Sequence, residues 1–424
     1  MKMSRYFTTF ELTRGFWGAF LASAFIYMAD IGWSHPLPNT ILATLALYLL
    51  LTGNPKSWLF SGFFIGIFWF WWIAMSFRVY GFAWAIPIGI LAVALVYAML
   101  FWGAALLAQA AELKLKLPSI WIRALFLLTV SLIHPLGFDW FKPELMFVES
   151  YFGIEKWRFA LVLLALALTI RYKKRVFLLI LLLAYEPTYQ RSGEPKLLQS
   201  AQIVTTSIPI DDKWEPTMLQ SQIDLVLSEI DNAIRNKKKQ IIFPESVLPL
   251  FLNKEYELLE IFRDKSNAIT IILGSLNLEE DTPRNSAYIF KDKKMLIANK
   301  VVLVPFGESN PLPEWLGKIV NRIFFDDAVD YVADSAISDY TLGDASYRNA
   351  ICYEACSERL YEGSPKNMIV LSNNGWFTPS IEPTQQRLLL EYYSRKYGTV
   401  IYHSINMSPS YIVWGGKSHF VQNP

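Results

Sequence analysis

The chain has 424 residues, a length that accommodates about two or three domains. Hydrophobic residues make up 53% of it and charged residues only 18%, which excludes an ordinary soluble protein. The formal charge of +2 comes with no basic stripe interleaved with aromatics, so no nucleic-acid partner is expected.

The first 187 residues carry nearly all the long apolar runs and read as a transmembrane helical domain. Seven spans are predicted: Gly15–Ser34, Leu37–Leu51, Trp58–Phe77, Ala83–Ala111, Pro118–Leu136, Trp157–Ile170 and Val176–Tyr185. Several approach the roughly 20 residues that a bilayer crossing needs, and the last two are short. A cleaved signal peptide is disfavoured for the first run, because further apolar runs follow at once and no small-residue cleavage site ends it. Lys56, Lys114, Lys116, Arg171, Lys173, Lys174 and Arg175 fall in alternate loops, which predicts a cytoplasmic N-terminus. Seven spans then deliver the rest of the chain to the outer face. The aromatic clusters Phe68–Trp72 and Phe101-Trp102 read as packing and interfacial belt, with a wall for acyl chains as the functional alternative. Few charges lie within the spans, which disfavours an ion or proton pathway.

Residues 188–198 form a polar linker, and residues 199–424 have the texture of a soluble α/β domain with mixed strand pairing. Strands are predicted at Ala201–Thr205, Gln240–Phe243, Ala268–Gly274, Asn349–Cys352, Met368–Ser372 and Val400–His403, with a hairpin at Ala287–Phe290 and Lys294–Ala298. Helices are predicted at Pro216–Lys237, where Leu219, Ile223, Val226, Ile230 and Ile234 recur at helical spacing, and at Leu258–Lys265 and Gln385–Tyr397. Residues 309–347 show little periodicity and read as long loops.

Cys352 and Cys356 are the two cysteines, one helical turn apart, which argues against a structural bridge and leaves a redox pair open. The four histidines, His35, His134, His403 and His419, are scattered, and no metal or other cofactor is expected. Cys352 ends an apolar run where helix-forming residues take over, so a thiol at the start of a helix is predicted, with a lowered pKa. Glu245 ends Ile241-Ile242-Phe243-Pro244, and Lys300 precedes Val301-Val302-Leu303-Val304-Pro305-Phe306-Gly307-Glu308. A carboxylate, an ammonium and a thiol at three strand ends suit acyl transfer through a thioester: a base, an oxyanion-stabilising cation and a nucleophile. Each has an ordinary alternative, with Glu245 as a helix cap, Lys300 as a solvated strand end and Cys352 as a core thiol.

Pro244-Glu245-Ser246, the Lys300 to Glu308 string, Cys352-Tyr353-Glu354 and Ser372-Asn373-Asn374-Gly375-Trp376-Phe377 together resemble the carbon–nitrogen hydrolase (nitrilase) superfamily. A nitrilase-like domain after several spans is similar, more narrowly, to the apolipoprotein N-acyltransferases of the bacterial inner membrane. The resemblance implies an α-β-β-α sandwich on the periplasmic face, with a catalytic triad at Glu245, Lys300 and Cys352. It also implies supporting or substrate-binding roles for Glu308, Tyr353, Glu354, Trp214 and Trp376. Family members add further strands and return a final helix to the membrane. Residues 405–424 contain no apolar span, so a compact variant tethered from one side is expected.

The implied reaction moves a fatty acyl group from a phospholipid donor, via a cysteine thioester, to the α-amino group of a diacylated apolipoprotein acceptor, with a monomer as the working unit. Two rivals stand beside it. A membrane-tethered amidohydrolase would have little use for seven spans. A transporter or lipid scaffold with a silent outer domain would need the intramembrane charges that are scarce here.

Overall fold

The structure, a computed structural model, describes residues 8–186, 200–305, 307–308 and 331–421. The 188–198 linker and the 309–330 portion of the expected loops lie outside those residues. By internal contacts the chain divides into two compact units.

The first unit is helical and holds α1 (Thr9–Asp30), α2 (Pro36–Leu51), α3 (Pro55–Phe70), α4 (Ile86–Leu115), α5 (Ser119–Thr129), α6 (Lys156–Tyr172) and α7 (Leu181–Ala184). Local chemistry sets the boundaries. Thr8 and Glu11 form a capping box at the start of α1, and Asn54 and Ser57 do the same for α3, satisfying N–H groups that the first turn leaves open. Left-handed Lys116 and Lys173 close α4 and α6. Gly62 and Gly66, one turn apart on α3, let it approach α4 closely. A Cβ at Gly62 would lie 2.3 Å from the Tyr97 carbonyl oxygen, and one at Gly66 would lie 2.7 Å from Ala94 Cα. Trp69, Phe70, Tyr97, Phe101 and Phe141 then pack inside the bundle, Phe70 stacked on Tyr97 and the other pairs tilted or edge-on. Of the aromatic clusters, Trp69, Phe70, Trp72 and Phe101 are buried, whereas Phe68, Trp71 and Trp102 are half-buried.

All seven expected apolar segments are helical, with adjustments. Two stretches, Pro55–Arg78 and Ala83–Leu115, are long and apolar enough by themselves to cross a membrane. The final segment is a 3₁₀ helix, Arg175–Ile180, running into α7. Its larger rise per residue stretches these residues to about 18 Å, against about 25 Å for α6. The two form a hairpin: the Gly153 N–H donates to the Ala184 carbonyl at 3.0 Å and the Glu186 N–H to the Tyr151 carbonyl at 2.9 Å. Arg158 pairs with Glu186 at 2.8 Å across the same opening.

The second unit is an α-β-β-α sandwich of two six-stranded sheets. The first sheet contains β1 (Ala201–Ile203), β2 (Gln240–Ile242), β3 (Leu248–Phe251), β4 (Thr270–Glu279), β5 (Thr282–Lys291) and β6 (Lys294–Asn299). They run in the order β1-β2-β4-β5-β6, with β3 also paired to β4. The second contains β7 (Asp339–Leu342), β8 (Ala345–Ile351), β9 (Asn367–Asn373), β10 (Val400–Asn406), β11 (Tyr411–Trp414) and β12 (Lys417–Phe420), in the order β12-β11-β10-β9-β8-β7. Period-two alternation explains the layers. Ile242, Ile272, Ala287 and Ile289 face Ile351, Ile369, Leu371 and Tyr402 between the sheets. Ile241, Phe243, Ile271, Leu273, Tyr288 and Phe290 point the other way, onto Val226, Ile230 and Ala233 of the helix Leu219–Arg235 and Leu258, Leu259 and Phe262 of the helix Tyr256–Lys265. On the second sheet, Tyr393 of the helix Glu382–Tyr397 stacks on Tyr361 at 4.4 Å, and Glu391 accepts the Ser418 N–H.

Three expectations change. Within 309–347 the described part is not all loop, because Asp339–Leu342 pairs antiparallel with β8. The C-terminal stretch supplies further strands, β11 and β12, and does not end at Val400–His403. Cys352 opens a five-residue 3₁₀ turn, Cys352–Cys356, too short to hold more than a fraction of a helix dipole.

Candidate active site

The parallel pairing of β2 with β4, and the antiparallel steps β4-β5-β6, point the C-terminal ends of β2 and β6 to one edge. Glu245 follows β2 in a tight turn whose next residue, Ser246, is left-handed at φ 45°. Gly274 of β4 makes room for that turn: a Cβ there would lie 2.5 Å from the Ser246 nitrogen, 2.7 Å from Glu245 Cα and 2.8 Å from the Pro244 oxygen. Lys300 follows β6, and its backbone N–H donates to the Asn285 carbonyl at 2.9 Å.

Lys300, 1% exposed, is no solvated strand end. Its ammonium lies 2.7 Å from Glu308 and 3.9 Å from Glu245. Asn285 binds the two carboxylates together, its Nδ2 donating to Glu245 at 2.8 Å and to Glu308 at 3.1 Å. Glu308 also accepts the Val304 N–H at 2.9 Å. Burial raises the Glu245 pKa above the usual carboxylate range, and Glu308 adds to this, against the pull of Lys300, Asn285 and Lys213. Burial alone would lower the Lys300 pKa, but Glu308, Glu245 and Cys352 outweigh it and hold the ammonium charged. Cys352 thus lies within electrostatic reach of Lys300.

Cys352 is part-exposed and itself left-handed at φ 54°, so β8 delivers it on a sharp elbow. Glu354 fixes that elbow to the Lys300 strand end. One of its oxygens accepts the Ile351 N–H at 2.7 Å; the other accepts Val301 and Val302 at 2.7 and 3.0 Å. Burial raises its pKa to about 7 against Lys300 and these three donors. Its role is backbone positioning. Tyr353 is buried, with its ring stacked on Phe138 at 5.7 Å and its hydroxyl donating to the Gly137 carbonyl at 3.4 Å.

Trp214 ends the single helical turn Ile210–Lys213 and is 40% exposed, whereas Trp376 is half-buried in the turn Asn374–Trp376. These turns adjoin at Gly375, where a Cβ would lie 3.7 Å from that of Ile210. Asn406 ties the same region together, donating to Asn373 and to the Ile208 carbonyl at 2.8 Å each. The structure therefore gathers Glu245, Lys300, Glu308 and Cys352 and joins Glu354 to them through backbone, with Tyr353 next after Cys352 and Trp214 and Trp376 on the turns that adjoin at Gly375. Sequence reasoning missed Asn285 and Lys213. A polar side chain inside the apolar β5 run was the available signal for Asn285. None marked Lys213, whose neighbours Asp211 and Asp212 make it look solvated.

A cysteine on a strand-end elbow, beside a buried Glu–Lys–Glu cluster on an α-β-β-α sandwich, in a chain that also carries a bundle of apolar helices, defines a membrane-bound enzyme. The family described as apolipoprotein N-acyltransferase integral membrane domain matches residues 9–187. Apolipoprotein N-acyltransferases of Wolinella succinogenes and Helicobacter pylori are 43% and 37% identical to the chain, covering 93% and 88% of it and 94% and 87% of those proteins. The chain belongs to the apolipoprotein N-acyltransferase family. Among solved structures it is similar to an amidase from Nesterenkonia sp., with a TM-score of 0.38 and 14% identity over 51% of this chain and 82% of that one.

Proposed function

We propose that Glu245, Lys300 and Cys352 carry N-acylation of lipoproteins by a two-step transfer at this site. The observation that supports it most is the buried ion cluster, which sets a raised-pKa carboxylate and a fixed cation beside a part-exposed thiol. Glu245 takes the thiol proton, and the Cys352 sulfur bonds to the carbonyl carbon of a phospholipid ester. Lys300 and the Tyr353 backbone N–H face the oxyanion. The ester C–O bond breaks, Glu245 returns the proton to the leaving oxygen, and lysophospholipid departs. The α-amino nitrogen of a diacylated apolipoprotein then attacks the thioester; its ordinary pKa of about 8 leaves a usable neutral fraction. Glu245 takes a proton from nitrogen, the C–S bond breaks, and the sulfur recovers its proton. The thioester conserves the acyl bond energy, so the cycle needs no nucleotide. Glu308 orients Lys300, and Trp214 and Trp376 flank the acyl chain.

The working location we infer is the bacterial inner membrane, with the N-terminus cytoplasmic and residues 199–424 as a periplasmic catalytic domain. Two features support this. Lys114, Lys116 and Arg171 to Arg175 cluster at one set of turns. The α6–α7 hairpin brings residues 151–153 and 184–186 level at the opposite end. One chain supplies Glu245, Lys300 and Cys352, which supports a monomer.

The direct test incubates the purified protein with phospholipid carrying a labelled acyl chain and reads the Cys352 peptide by mass spectrometry. A fatty-acyl adduct on Cys352, discharged by diacylated lipopeptide, is the expected result. N-acylation of the lipopeptide by Cys352→Ser protein would overturn the thioester assignment.

A further inference from the structure

Lys213 is a buried charge that the acyl-transfer steps leave without a role. It is 0% exposed, and its ammonium donates to the backbone carbonyl of Glu245 at 3.0 Å. Its own carbonyl accepts from Gln222 at 3.0 Å, which locks the turn that carries it. One neutral acceptor is poor compensation for taking an ammonium out of water. A methionine would fill similar space without that cost, so packing does not account for the charge.

The neighbouring charges do. Lys300 is shared between two carboxylates and sits closer to Glu308, at 2.7 Å, than to Glu245, at 3.9 Å. Glu354 is matched by three backbone donors. Glu245, Glu308 and Lys300 together carry one net negative charge, and Glu245 holds the less compensated share. To accept a proton from Cys352, Glu245 must first be ionised. We propose that Lys213 is a positioning residue that keeps Glu245 ionised and aimed, through its hydrogen bond to the Glu245 carbonyl and its buried positive charge.

The charged group facing Lys213 is Glu245, with Lys300 and Glu308 beyond it, while Asp211 and Asp212 of the same turn are exposed. Burial lowers the Lys213 pKa to about 8 against the pull of Glu245, so the countercharge itself is lost on the alkaline side.

The inference rests on Glu245 as the base. Its test is the pH dependence of Cys352 acylation by labelled phospholipid in a single turnover, with no amine acceptor present. In K213M the acidic limb is expected to move up by about one pH unit, because the opposite charge that lowers the carboxylate pKa is gone. In K213R the acidic limb is expected to stay in place and the alkaline limb to move up, since a guanidinium keeps its proton. K213Q is a second neutral variant, read in the same way as K213M. An acidic limb unmoved in a folded neutral variant overturns the proposal, as does K213R moving that limb as far as K213M. Failure of both neutral variants to fold also overturns it, assigning Lys213 to the fold. Normal acylation by Glu245→Gln would instead remove Glu245 as base, a separate outcome read in the same assay.

Discussion

Lys300 neutralises two buried carboxylates, at 2.7 and 3.9 Å, so its removal has consequences for stability as well as for chemistry. In Lys300→Met, Glu245 and Glu308 lose their shared counter-ion. The variant is expected to lose about 3 kcal/mol of stability and at least about 100-fold in Cys352 acylation. Adding Glu308→Gln should restore part of the thermal midpoint and none of the acylation, because the repulsion is relieved while the oxyanion still lacks its cation. His403 offers a prediction away from the site. It is fully buried, with Nε2 at 2.6 Å from Ser372 Oγ, and burial lowers its pKa to about 3. Between its ordinary pKa of about 6.5 and 3, the unfolded chain binds a proton that the folded chain refuses, so stability rises with pH across that window. On going from pH 7.5 to pH 5 this one group is expected to remove about 2 kcal/mol. Thermal melts of His403→Asn at the two pH values should lose that part of the difference.

At the scale of elements, the site depends on two elbows and what holds them. The turn at Glu245 rests on a glycine whose every near neighbour is backbone, so Gly274→Ala has no flexible side chain to push aside. It is expected to cost about 2 kcal/mol and to lower acylation far more than denaturant midpoints alone would imply, by displacing Glu245 from Lys300. The elbows also explain what the sequence made legible. Apolar runs ending at Pro244 and Ile351 announced strand ends, because buried strands need continuous apolar stretches and their ends do not; Lys300 was marked instead by the apolar run Val301–Val304 after it, whereas the strand it follows is β6. The helix Leu219–Arg235 was visible because it buries one face at regular spacing. By contrast, β7 is four residues of exposed–buried alternation at a sheet edge, and β11 and β12 are equally short, so neither length nor periodicity separates them from loop. Convergence of the three strand ends was illegible for another reason. It depends on β4-β5-β6 pairing and on Glu354 reaching three N–H groups from two strand ends, and pairing across such distances leaves no local pattern. The expected helix dipole at Cys352 failed on the same ground: a run of helix-forming residues became one 3₁₀ turn, because Glu354 is drawn back to the Ile351 N–H.

For the whole molecule, the chemistry is tied to a side of the membrane. In the proposed reaction a phospholipid donor and a lipoprotein N-terminus meet at the outer leaflet, so the proposed orientation is as much a part of that reading as the thiol. Seven segments by themselves are weak support, since among the described residues two stretches are long and apolar enough to cross unaided. Parity supports the orientation more strongly. Whatever depth α6 and α7 reach, the bonds between 151–153 and 184–186 return the chain to the level it left, so Glu186 lies on the same side as Tyr151. Five segments precede it, an odd number, which puts that side opposite the N-terminus if α1 to α5 each cross. The chain's cysteine content makes this measurable. With Cys352 and Cys356 both changed to Ser, Tyr256→Cys puts a single thiol on an exposed position of the sandwich, and Lys116→Cys puts one at the exposed end of α4. A membrane-impermeant maleimide added to intact spheroplasts is expected to label Tyr256→Cys fully and Lys116→Cys only after permeabilisation. The reverse pattern would place the sandwich in the cytoplasm, where it could not meet its acceptor, and labelling of both in intact spheroplasts would mean that α5 does not cross.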